Sequence, residues 1–114
     1  MGDLTPHFSR REFDSHDGAH AAPAPELLAA LERLRAMVGR PLRIVSGYRS
    51  PAWNKRVGGA PRSQHLYNRA ADIPPGYATV AQAAGAGFTG IGDSDGWAVH
   101  VDVRPGPPAR WHYR

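Results

Sequence analysis

The stretch Trp97-Ala98-Val99-His100-Val101-Asp102-Val103-Arg104 constrains the fold more than any other. Its apolar residues alternate with Ala98, His100, Asp102 and Arg104, which is the period of a strand. One face, Trp97/Val99/Val101/Val103, is predicted to lie on a core. The other face then carries an imidazole and a carboxylate side by side. A solitary histidine on a strand is most often structural, but a His and an Asp on the face opposite an apolar one imply a site. Upstream, Ser63-Gln64-His65-Leu66-Tyr67-Asn68-Arg69-Ala70-Ala71-Asp72 supplies a second His and a second Asp seven residues apart. His65, Asp72 and His100 are a candidate ligand set for one divalent metal, although a His…Asp…His count alone is a weak signal in a chain with six His and ten acids. Zinc takes imidazole nitrogen and carboxylate oxygen, and a catalytic zinc site uses three protein ligands and keeps one position open.

The rest of the chain supplies a frame for these residues. Its 114 residues fit one domain, 1–114, with a modest core. Pro25 opens a helix whose Leu27, Leu28, Leu31, Leu34 and Val38 recur at helical spacing, and Gly39 closes it. Residues 42–46 read as a strand, broken by Gly47 before the turn Tyr48-Arg49-Ser50-Pro51. A short helix follows over 50–57 and another over 77–84, with strands near 69–73, 88–91 and 97–104. The fold class is therefore α+β, a small and mostly antiparallel sheet flanked by helices. Asp14 to His20 reads as a solvated loop rather than a metal cluster. Asp93-Ser94-Asp95-Gly96 reads as a turn, because the twelve-residue spacing of a calcium loop is missing. Trp111 and Tyr113 in the Pro- and Arg-rich tail are expected to pack back onto the domain.

Four segments resemble the zinc D-Ala-D-Ala carboxypeptidase and dipeptidase group of cell-wall peptidases, the peptidase M15 family. Ser63-x-His65-x-x-Asn68-x-Ala70-x-Asp72 is similar to its SxHxxGxAxD signature. Ser46-Gly47-Tyr48-Arg49-Ser50-Pro51 is similar to its SGYRSP segment, Val99 to Arg104 to its closing strand, and His7 to Phe13 to its opening. Asn68 stands where the family has Gly, and Asn is the non-Gly residue that best tolerates a left-handed backbone, so the turn is expected to be kept. The resemblance implies a hedgehog/DD-peptidase fold, Zn²⁺ on His65, Asp72 and His100, and Arg49 as stabiliser of the developing oxyanion. It also implies substrate binding by Ser63 and a substrate drawn from the peptide stems of peptidoglycan, cleaved by carboxypeptidase or endopeptidase action. The family's general base has no counterpart here. Its Glu three residues before the last ligand falls on Trp97, and its His two residues before falls on Ala98. Asp102 is the favoured candidate, with Asp93 and Asp95 behind it. Asp102 is alternatively the partner that orients His100, or the third ligand with His100 as the catalytic His.

Composition narrows the partners. No cysteine is present, so neither disulfides nor thiolate metal sites arise. The net charge of +4 and a pI near 10.1 favour polyanions, including an anionic cell wall. The basic residues are scattered and no nucleic-acid motif is present, so nucleic acid is not expected as a partner. Neither a signal peptide at Met1–Pro6 nor a membrane span is apparent. A monomer that reaches the wall by another route, through a lysis pore or on a phage particle, is the expectation. The competing reading is a zinc-stabilised binding module of the same fold that does not catalyse.

Overall fold

In the computed structural model, which describes residues 3–113, a long helix packs over a four-stranded sheet. Met1, Gly2 and Arg114 lie outside the described residues, so the readings of Met1–Pro6 and of the tail are followed only between Asp3 and Tyr113. Helix α1 spans Pro25–Val38 as predicted. Proline occupies its first turn, where a missing N–H costs nothing. Gly39 ends it in the left-handed conformation, φ 76°, donating its N–H to the Arg35 carbonyl. Leu27, Ala30, Leu31 and Leu34 are fully buried, so the predicted apolar stripe is the core face.

Helix α2 covers Pro51–Arg56, with the Ser50 hydroxyl accepting from the Trp53 N–H. Helix α3 covers Val80–Gly85, shorter than the predicted 77–84 at its start. Thr79 and Gln82 form a reciprocal capping box that fixes the first turn at Val80. The strands are β1 (Ala70–Asp72), β2 (Gly90–Ser94), β3 (Trp97–Asp102) and β4 (Ala109–His112). Their order is β1-β3-β2-β4. The pairs β1/β3 and β2/β3 are antiparallel and β2/β4 is parallel, so the sheet is mixed rather than wholly antiparallel.

Three expectations are corrected. The segment 42–46 forms no ladder; it touches the sheet through one bridge, Ser46 with Asp72. The chain turns away there because Gly47 packs on Phe13, where an added Cβ would come within 2.7 Å of the Phe13 Cα. The tail does more than pack back, since β4 extends the sheet. The two faces of β3 also differ from strict alternation. Pairing with β2 shifts between Gly92 and Asp93, opposing Gly92 to His100 and Asp93 to Ala98, so Val99 is the extra residue of a bulge. Beyond the bulge Ala98 is in the core and Trp97 is 38% exposed, whereas Val101 keeps the predicted core position.

The 14–20 loop is also less free than predicted. The Ser50 N–H donates to the Ser15 hydroxyl at 3.2 Å, the Ser50 hydroxyl donates to Asp17 at 2.5 Å, and the His16 ring lies 5.8 Å from that of Trp53. Polar side chains here fasten a loop to the start of α2. No described helix is long and apolar enough to cross a membrane.

Candidate metal centre

Three chain segments carry the predicted ligands to one point. His65 lies in a 3-10 turn, Gln64–Tyr67, started by the Ser63 hydroxyl accepting from the His65 N–H. Asn68 ends that turn with φ 52° and ψ 41°, the left-handed conformation its position demands. Its side-chain amide donates to the Ala21 carbonyl at 2.8 Å, which holds the reversal while buried. The chain then enters β1, and Asp72 sits opposite His100 in the β1/β3 register. Ligand atoms of His65, Asp72 and His100 all lie within 4.8 Å of one another.

The hydrogen bonds around the two imidazoles fix which nitrogen faces inward. His65 Nδ1 is 2.6 Å from the Gly47 carbonyl, and His100 Nε2 is 2.7 Å from Asp102 Oδ2. Carbonyl and carboxylate oxygens only accept, so each of these nitrogens carries the proton. The opposite nitrogens, His65 Nε2 and His100 Nδ1, both stand 3.2 Å from the same oxygen, Asp72 Oδ1. A neutral imidazole has one N–H, and it is already used. With both rings neutral, each inward nitrogen presents a lone pair to a carboxylate, a repulsion relieved either by a further proton on the ring or by a cation among the three. Two nitrogens and one carboxylate oxygen are ligands zinc accepts, and histidine ligands held by an outer carbonyl or carboxylate are the usual second layer of such sites. The donor set fits Zn²⁺.

Electrostatics agree with this arrangement. Burial raises the Asp72 carboxyl, but its contacts with His100 and His65, which favour protonated rings beside it, outweigh that and hold the group well below the usual carboxylate range. Burial likewise opposes ionisation of Asp102, and is outweighed by His100 and Arg104. His100 is pushed up, because its contacts with Asp102 and Asp72 outweigh desolvation.

Asp102, the favoured general base, is fully buried. Oδ1 accepts from Arg104 Nε at 2.9 Å and from its backbone N–H at 3.1 Å, while Oδ2 accepts from Arg104 Nη2 at 2.6 Å and faces His100. With both oxygens engaged and no exposure, it has no route to a substrate water. Its geometry matches the alternative role of orienting His100. Asp93, a further candidate, pairs with His112 and accepts the Gly96 N–H at 2.9 Å in the β2–β3 turn.

The centre opens into a cleft of ≈ 420 Å³. Arg49 lines it, with Nη2 3.5 Å from Asp72 Oδ2 and Nη1 3.3 Å from Asn54 Oδ1. Ser63 lines it as well. Sequence reasoning missed Asn54, which is buried in α2 and whose amide donates to the Ala60 carbonyl at 2.9 Å. A polar residue at a buried position of a short helix was the available signal. Trp111 and Tyr113 were assigned only to packing, yet both line the cleft.

A small α+β domain with one His–Asp–His centre at the foot of an arginine-lined cleft has the architecture of a single-metal hydrolase. The Peptidase M15 signature matches residues 4–102, and the chain belongs to that family. It is also 43% identical over 60 residues to the zinc D-Ala-D-Ala carboxypeptidase of Streptomyces albus G. That match takes in 49% of this chain and 24% of the relative, so the chain spans about a quarter of the relative's length.

Proposed function

We propose that this chain is a zinc peptidase that cleaves the peptide stems of bacterial peptidoglycan, acting as a monomer at the cell wall. The observation that carries the reading is the convergence of His65 Nε2, Asp72 Oδ1 and His100 Nδ1 beside Arg49. Zinc in such a set polarises a carbonyl and makes water more acidic. Every other part is supplied by the chain. The Gly47 carbonyl and Asp102 hold the two imidazoles in the tautomers that turn lone pairs inward. Asn54 and Asp72 hold the Arg49 guanidinium over the cleft, where it stabilises charge developing on the substrate carbonyl oxygen. Ser63 is placed to hydrogen-bond the peptide. Arg49, Arg62 and Arg104 make the cleft cationic, which favours a peptide end that bears a carboxylate. The name of the Streptomyces relative points to the same class, a D-Ala-D-Ala terminus.

One observation supports a second reading, a non-catalytic binding module. Among the described residues lining the cleft, no carboxylate is present beyond the ligand Asp72 at its foot, and the only imidazoles are His65 and His100. Mass spectrometry separates the two. Zinc-loaded protein is incubated with a stem pentapeptide and with purified peptidoglycan, beside a chelated control. Metal-dependent loss of D-Ala, or separation of cross-linked stems, establishes the peptidase and identifies the bond. Intact substrates, retained on zinc-loaded protein, establish the module.

A further inference from the structure

We propose that Trp111 on β4 and Tyr113 just beyond it form the substrate-selective wall of the cleft, taking the aliphatic part of the peptide next to the scissile bond. This inference rests on the peptidase reading and deepens it. β4 lies outside the segment matched by the family, which ends at residue 102, yet both aromatic rings line the cleft. Their position is built in rather than incidental. The Trp111 ring stands 5.0 Å from the His100 ring, the Arg104 guanidinium lies 5.1 Å from the Trp111 ring centre, and the Tyr113 ring is 6.4 Å from Trp111. Parallel pairing sets Trp111 opposite Gly92, and the Tyr113 N–H donates to the Asp93 carbonyl at 2.8 Å. Gly92 leaves room for both rings, since a Cβ there would collide with Trp111 and Tyr113. Arg49, Arg62 and Ser63 line the same cleft.

The chemistry of these polar groups differs from that of the two rings. Guanidinium and hydroxyl groups recognise carboxylate and amide, whereas flat aromatic faces recognise C–H surface and set the width available to a side chain. A peptide whose carbonyl lies at the His65/Asp72/His100 centre places its neighbouring side chain against this wall. The wall should therefore favour small aliphatic groups over bulky ones.

The test uses zinc-loaded protein and an N-acylated peptide ending in D-Ala-D-Ala. Addition of the peptide should displace the indole N–H signal of Trp111, one of three tryptophans, identified by its absence in Trp111→Phe. Trp111→Ala should raise KM about tenfold or more, the usual cost of a lost apolar pocket contact, with zinc content unchanged. Trp111→Phe should recover most of that loss, and peptides ending in a bulkier D-residue should gain relative to D-Ala in Trp111→Ala. Tyr113→Ala, which removes a ring farther from His100, gives the same readout if Trp111→Ala loses zinc. A Trp111 signal that does not move at any peptide concentration overturns the proposal, as does an unchanged KM in zinc-replete Trp111→Ala and Tyr113→Ala. A displaced signal without product keeps the wall and removes the peptidase reading instead.

Discussion

Asp102 Oδ2 lies 2.7 Å from His100 Nε2, and this contact turns the opposite nitrogen of His100 toward Asp72. The carboxylate is itself gripped by the Arg104 side chain at 2.6 and 2.9 Å. Asp102, buried between Arg104 and His100, thus orients a ligand without itself reaching the cleft. Asp102→Asn should weaken zinc binding by about 10- to 100-fold, the range seen when an outer partner of a metal-bound histidine is lost. Competition against a chelator of known affinity measures this. Unchanged affinity with lost turnover would return Asp102 to the role of base.

Arg49 is predicted to act on charge that develops during the reaction. Arg49→Ala should lower kcat by about 10²- to 10³-fold, as for loss of one oxyanion donor, and leave zinc stoichiometry intact. Steady-state kinetics with paired zinc analysis reads both. A variant with full kcat contradicts the assignment.

Gly90 packs directly beneath the Asp102 carboxylate, and a Cβ at Gly90 would overlap it. That carboxylate cannot retreat, because His100 and Arg104 fix it. Gly90→Ala should therefore lower both thermal stability and zinc affinity, whereas Gly39→Ala, with open space around its Cβ, should cost only left-handed backbone strain of about 1–2 kcal/mol. Thermal melts with and without zinc compare them. Equal zinc affinity in the two variants would sink this packing argument.

Glu32 ties the N-terminal segment to α1, accepting from the His7 N–H at 2.9 Å with His7 Nδ1 2.7 Å away. Burial raises its carboxyl, but the His7 and Thr5 contacts outweigh that and lower it below the ordinary glutamate value of 4.5. A lowered folded-state value means the stabilisation is fully present above pH 4.5 and disappears as pH falls through the lowered value. The stability difference between wild type and Glu32→Gln should be constant near neutrality and shrink under acid. Denaturant unfolding across pH checks the sign, and a difference that grows on acidification contradicts it.

The convergence of His65, Asp72 and His100 was legible because the family-like motifs around them and the strand period are local signals, whereas their spacing alone is weak. Helix α1 was legible for the same reason, and the left-handed turn at Asn68 followed from residue type. What escaped depends on contacts distant in sequence. The Val99 bulge arises from pairing with β2, so Trp97 looked like core and is exposed instead. Strand β4 is four residues long and follows three prolines, and only its parallel partner β2 makes it a strand. Asp102 could not be assigned from spacing alone, because its role depends on whether its oxygens are free, and Arg104 two residues on occupies both.

The most direct measurement is calorimetric titration of zinc into chelator-stripped protein, for the wild type and for His65→Ala, Asp72→Ala and His100→Ala. The account predicts one zinc per chain in the wild type and loss of that binding in each variant, with thermal stability raised by zinc only in the wild type. Tight one-to-one binding that survives any of the three substitutions would contradict it.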